Sequence, residues 1–444
     1  MRGRIGTRLG RRPLREVVQQ AYTGALVAAL VVLSLSACSE DQQPVPPKRA
    51  AATTATSSGS ATEPSPSATA EPDKPTAAEQ AELNRDLIDA AWKNDVSRAR
   101  TLIEQGADVN YKDGTEQSAY LIATSEGYLD LLELTLRNGA DVNSLDRFDG
   151  TGLIRAADRG HANIVGRLLQ TDIKVDHVNN LGWTALHEAI ILGTGTRRYV
   201  DTVRLLVAGG ADLRLPPKRD GIVPIQHARS RRYTTIAATL QKALAAGRPG
   251  NPNASLLRAA AAGRADDVAV ALRHEADINT RDARRRTPLL LAATNDRVAV
   301  ARLLVPLGAD PDALDDRHDT PWLVTGVTGS VAMAEVLLAA DPDLTIRNRF
   351  GGTSLIPASE RGHVDYVRRV VRTGIEINHV NDLGWTALLE AVILGNGSRP
   401  YQQIVRTLLD AGADPSIADK NGVTALDHAR KKGYDEIVRI LASG

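Results

Sequence analysis

The sequence predicts an all-α solenoid: small helix-turn-helix units stacked in a line, about eleven of them in two tandem arrays. Three observations carry this. A pattern recurs every 33 residues, as Asp108-Val109-Asn110 returns as Asp141-Val142-Asn143, and Asp277-Ile278-Asn279 returns as Asp310-Pro311-Asp312. A Thr or Ser opens most units and a small or turn residue follows nine positions later: Ser118 with Gly127, Thr151 with Gly160, Thr287 with Asp296, Thr320 with Gly329. The composition agrees: residues are 43% hydrophobic but only 3% aromatic, with Phe 2 and Met 2. The apolar mass is therefore Ala, Leu, Val and Ile, which suits repeated small helices better than the three irregular cores that a length of 444 would ordinarily allow.

In chain order, residues 1–37 read as an export signal. Arg2, Arg4, Arg8, Arg11, Arg12 and Arg15 form a basic stretch, and Gly24–Leu35 is a short uncharged run, too short to span a bilayer comfortably. It ends in Leu35-Ser36-Ala37-Cys38, which resembles a bacterial lipoprotein signal. The resemblance implies cleavage before Cys38 and a diacylglyceryl group on its thiol, anchoring the chain to a membrane on its extracytoplasmic side. Cys38 is the sole cysteine, which excludes an intramolecular disulfide framework and a multi-cysteine zinc site. Residues 38–78 are rich in Ser, Thr, Pro and Ala and bury little, so they are expected to be a disordered tether. The formal charge of the whole chain is +1, but residues 1–37 carry six arginines against Glu16; the rest is −4. A mildly acidic body does not suit nucleic acid.

Array 1 is expected over 79–245, a junction over 246–254 and array 2 over 255–444. Each Thr caps a first helix and each Gly ends it. An amphipathic second helix follows, such as Ile164-Val165 with Leu168-Leu169. Gly-Ala-Asp endings then lead into a hairpin-like loop. The junction Ala246-Gly247-Arg248-Pro249-Gly250-Asn251-Pro252 breaks the pattern, and Leu256-Leu257-Arg258-Ala259-Ala260 restarts it as Leu87-Ile88-Asp89-Ala90-Ala91 began it. We read a tandem duplication of five- and six-unit arrays. The sequence leaves open whether they stack continuously. These units, best seen in Asn421-Gly422-Val423-Thr424-Ala425-Leu426-Asp427-His428-Ala429, resemble the ankyrin repeat over most of residues 83–441. The resemblance implies a rigid curved stack that binds another protein.

One unit in each array is five residues longer. Leu181-Gly182-Trp183-Thr184-Ala185-Leu186-His187-Glu188-Ala189-Ile190-Ile191-Leu192-Gly193 returns as Leu383-Gly384-Trp385-Thr386-Ala387-Leu388-Leu389-Glu390-Ala391-Val392-Ile393-Leu394-Gly395. Each precedes an insertion that contains Arg198 and Tyr199, or Arg399 and Tyr401. In ankyrin-type stacks, the residue before the Thr and the last residues of the first helix face the concave side. Here those are Trp183, Ile191, Leu192 and Trp385, Ile393, Leu394. Apolar residues there, beside Arg198, Tyr199, Arg399 and Tyr401, suggest a partner-binding patch. The alternative is that the longer loop folds back and the Trp and Ile pack under it.

No catalytic constellation is present. His187-Glu188 lacks the second His of a zinc-protease motif, and no phosphate-binding Gly loop or nucleophile elbow occurs. His161, His363, His177 and His379 read as backbone-bonding loop residues. No cofactor, metal or small-molecule substrate is expected. The expected role is a lipid-anchored scaffold for an unidentified protein. The alternatives are an inhibitor or immunity protein blocking one enzyme or toxin, an enzyme acting on the cell wall, or a spacer without a specific partner.

Overall fold

The computed structural model describes residues 75–217 and 221–443. The expected signal and most of the expected tether, Cys38 included, fall outside the described residues. Among the described residues are 22 α-helices, one 3-10 turn at Val305–Leu307 and no strand. The helices pair off into eleven units. The first five pairs are α1 (Ala77–Trp92) with α2 (Val96–Glu104), α3 (Ala119–Glu126) with α4 (Leu129–Arg137), α5 (Gly152–Arg159) with α6 (Ala162–Leu168), α7 (Ala185–Ile191) with α8 (Arg197–Ala208), and α9 (Pro224–Ser230) with α10 (Thr234–Ala245). The last six are α11 (Pro252–Ala262) with α12 (Ala265–Arg273), α13 (Pro288–Thr294) with α14 (Val298–Leu304), α15 (Pro321–Thr328) with α16 (Val331–Leu338), α17 (Leu355–Glu360) with α18 (Val364–Val370), α19 (Ala387–Ile393) with α20 (Arg399–Asp410), and α21 (Ala425–Lys432) with α22 (Asp435–Ser443).

The local physics is that expected of the repeat. Thr151, Thr287, Thr320, Thr386 and Thr424 lie in extended backbone and accept the N–H three residues on with their hydroxyls. Gly160 and Gly329 end their helices at φ 67° and 69°, a conformation that costs a glycine nothing. First helices pack on first helices and second on second, so each unit closes the apolar face of its neighbour in one continuous core.

The stack is not continuous from end to end. First helices form an inner row in each array, but α9 and α11 do not pack together. Instead α12 sits against α8 and α10, α14 touches α8, and the 3-10 turn at Val305–Leu307 rests on α6. Array 2 folds back along array 1, second-helix row against second-helix row. The seam is polar as well as apolar. Arg204 pairs with Asp266 at 2.7 Å, Arg302 with Asp201 at 2.8 Å, and Gln170 donates to the Pro306 carbonyl at 2.7 Å. Arg273 donates to the carbonyls of Val207 and Ala211 at the end of α8. Gly166 permits the closest approach: a Cβ there would overlap the Pro306 side chain and backbone. The layer order is inner row, outer row, outer row, inner row, so the two inner rows lie on opposite faces of the repeat body.

Candidate protein-binding faces

The hairpin loop that precedes most inner helices is built on one Asp or Asn. Asn179 accepts the N–H groups of Leu181 and Trp183 through Oδ1, at 3.1 and 2.9 Å, and donates from Nδ2 to Glu188 Oε1 at 2.8 Å. Asn381 does the same for Leu383, Trp385 and Glu390, at 3.0, 2.9 and 2.9 Å. Where the residue nine positions later is Arg155 or His428, the loop residue is Asp. Asp146 lies 3.3 Å from Arg155, and Asp419 lies 2.9 Å from His428. An amide beside a carboxylate and a carboxylate beside a cation satisfy the same turn without setting like charges together.

Glu188 and Glu390 are consequently buried on the inner row without an ion-pair partner among the described residues. Burial, reinforced by the charge of Asp158, pushes the Glu188 carboxyl up to about 7 against the Asn179 hydrogen bond. Burial and Glu360 push Glu390 to about 7 as well. Glu188 is 4% exposed, and its Oε2 has no hydrogen-bond partner.

The insertion is braced by tyrosines. It starts the second helix early, so α8 and α20 each run 12 residues where α6 and α18 run 7. Tyr199 donates to the Asp158 carbonyl at 3.0 Å and Tyr233 to the Gly193 carbonyl at 2.7 Å. In array 2, Tyr401 reaches Glu360 and Tyr434 reaches Gly395, both at 2.9 Å. Gly193 and Gly395 are needed for closeness: a Cβ would strike the carbonyl four residues back and the ring of Tyr199 or Tyr401.

This sorts the residues picked out from the sequence. Tyr199, at 3% exposed, meets its own chain, which corrects its assignment as a partner contact; half-buried Tyr401 makes the same brace. Arg198 lies along Gly160 and stacks over the Tyr199 ring, with its outer edge open. Arg399 is exposed at the start of α20. Leu192 and Leu394 are 50% and 39% exposed, while Ile191 and Ile393 are half-buried beside them. Trp183 and Trp385 are half-buried, and Trp183 Nε1 has no hydrogen-bond partner. His161 and His363 bond the carbonyls of Ser125 and Val327, and His177 and His379 those of Asp149 and Gly351.

The sequence reading missed two residues. Phe148 and Phe350 are the chain's only phenylalanines, and they stand exposed on equivalent hairpin tips, 42% and 44% open. Arg147 and Arg349 stack over their rings at 4.9 and 4.4 Å. The signal was available in the composition: two residues of one scarce type, spaced by the same interval as Trp183 and Trp385.

A family model described as ankyrin repeats in three copies matches residues 119–216, 256–348 and 323–419. This chain belongs to the ankyrin-repeat family. YahD, an ankyrin repeat protein of Escherichia coli strain K12, is 38% identical over 192 residues, which is 43% of this chain and 96% of YahD. That relative is thus about as long as one of the two arrays. Ankyrin repeat and SAM domain-containing protein 6 of the mouse is 36% identical over 107 residues, 23% of this chain and 12% of the mouse protein. Among solved structures, an ankyrin repeat domain from Acinetobacter baumannii AYE is 46% identical and covers 42% of this chain and 96% of its own, with a TM-score of 0.41. The ankyrin assignment supports a protein-interaction scaffold. Among the described residues no group of three or more His, Cys, Asp and Glu could hold a metal ion, and no helix is long and apolar enough to cross a membrane.

Proposed function

We propose that this ankyrin protein is a non-catalytic scaffold, anchored through a lipid on Cys38 to the extracytoplasmic face of a membrane, and that it binds another protein through its Trp183 and Trp385 faces. The observation that carries the binding role is the exposure of Leu192 and Leu394 beside half-buried Trp183 and Trp385, at the same place in both arrays. Apolar side chains left open at the same place in both arrays, each beside a half-buried Trp, mark an interaction surface. The Leu35-Ser36-Ala37-Cys38 stretch supports the anchor.

Two measurements test this. Mass spectrometry of the mature protein should find an N-terminal diacylglyceryl-cysteine at Cys38; an intact Ala37-Cys38 bond would defeat the anchor. In intact cells, crosslinking should trap a protein that the Trp183→Ala, Trp385→Ala double variant loses while remaining folded by circular dichroism. A variant that unfolds would place both Trp in the packing, and a trapped protein indifferent to both would place the binding surface elsewhere.

A further inference from the structure

We propose that the repeat body carries two equivalent docking faces, one per array, and that each takes a copy of the same partner segment, in which apolar side chains are followed by a lysine or arginine. This rests on the interaction role proposed above and adds to it the number of sites and the chemistry of the occupant.

The two faces correspond residue by residue. Arg147, Phe148, Asn179, Leu181, Trp183, Glu188 and Leu192 recur, at one constant interval, as Arg349, Phe350, Asn381, Leu383, Trp385, Glu390 and Leu394. On each, two neighbouring hairpin tips are tied by a backbone hydrogen bond. The Asn180 N–H donates to the Phe148 carbonyl, and the Asp382 N–H to the Phe350 carbonyl, both at 3.0 Å. The bond holds exposed Phe148 next to exposed Leu181, and exposed Phe350 next to exposed Leu383. Trp183 and Trp385 follow directly, and Leu192 and Leu394 close the strip at the far end of a seven-residue helix, about 10 Å on. Rings pinned on a fixed backbone lose little freedom on binding, the property of an anchor residue.

The floor beneath each strip is acidic. Among the described residues, Asp158 and Glu188 in array 1, and Glu360 and Glu390 in array 2, have no ion-pair partner, whereas nearby Arg159 is taken by Glu126 at 2.9 Å and Arg155 by Asp146. Exposed Arg197, Arg198, Arg361 and Arg399 remain in water, where their charges are screened, while Lys420 and Lys432 donate to the Asp382 and Ile393 carbonyls at the edge of the array 2 strip. Above about pH 7, where Glu188 and Glu390 ionise, a desolvated carboxylate without a counter-ion attracts a cation more strongly than a hydrated arginine repels it. Glu188 Oε2, buried and unbonded, awaits a donor. An incoming ammonium or guanidinium completes that floor; a carboxylate would not. Because the inner rows lie on opposite faces of the body, one occupant does not obstruct the other.

The test is calorimetric titration of the full chain in detergent with three synthetic peptides of equal length: alternating Leu and Lys, Leu and Glu, and Leu and Ser. The Leu-Lys peptide should bind two per chain, and the Leu-Glu peptide at least roughly tenfold more weakly. Phe148→Ser and Phe350→Ser, both at exposed tips, should each lower affinity by roughly tenfold or more at one site, and the double variant at both. One site per chain, equal binding of the Leu-Glu peptide, failure of the Leu-Lys peptide, or binding that survives the double variant would each overturn the inference. The underlying interaction role is judged separately: it falls only if crosslinking in cells traps no Trp-dependent protein.

Discussion

At the scale of single residues, the buried glutamates have the largest predicted effects. An unfolded glutamic acid titrates near 4.5 and Glu188 and Glu390 near 7, so the folded chain holds extra protons between those values. Their contribution to stability is therefore lost as pH rises from about 4.5 to 7 and is level above that. Each ionised group costs up to about 3 kcal/mol. Glu188→Gln and Glu390→Gln keep an acceptor for Asn179 and Asn381, remove the charge, and should raise the melting temperature at pH 8. Relative to wild type they should show no gain at pH 4. Asn179→Asp makes the opposite change: it sets a second carboxylate against Glu188, now separated from the amide by 2.8 Å. It should cost about 2 kcal/mol or more at pH 8 in chemical denaturation, and less at pH 4 where the pair shares protons.

At the scale of elements, the repeat was readable because its punctuation is local. A Thr that caps and a Gly at positive φ act within four residues, so Thr151 and Gly160, or Thr320 and Gly329, reveal their helix without knowledge of its neighbours. The five-residue insertion was visible too, but not its use, since its conformation depends on tyrosines some 40 residues away. Tyr199 and Tyr401 looked like contact residues because an aromatic beside an arginine is common at interfaces. Their hydroxyls instead close on the Asp158 and Glu360 carbonyls. Tyr199→Phe and Tyr401→Phe should each lower stability by about 1 kcal/mol in denaturant titration. Gly395→Ala should cost more, since its Cβ has no room between the Ala391 carbonyl and Tyr401. Phe148 and Phe350 were overlooked because a hairpin tip carries no periodic signal; comparison of the two arrays finds them.

At the scale of the molecule, the fold-back depends on where the arrays differ, not on where they agree. The outer helix α8 carries Val200, Leu205 and Val207, buried under array 2, where its counterpart α20 has Gln402, Thr407 and Leu409, each partly open. Gly166, pressed on Pro306, corresponds to Arg368, which is exposed. A single sequence read unit by unit shows Gly166 only as a weak spot in an amphipathic helix; the contact that explains it lies far along the chain. Gly166→Leu should pry the arrays apart, increasing the radius of gyration in small-angle scattering, while Arg368→Leu should leave it unchanged.

On this fold-back rests the placement of two inner rows on opposite faces. The most direct measurement is the distance between spin labels at Asn163 and Ala339 in a Cys38→Ser background, which lacks any other cysteine. Asn163 on α6 and Ala339 at the end of α16 line one cavity of about 200 Å³ between the arrays. The fold-back predicts a label separation within about 20 Å, the reach of two side chains across one helix-packing distance. Arrays stacked end to end would set them five repeat-to-repeat steps apart, on the order of 40–50 Å, and a distance in that range would contradict the account.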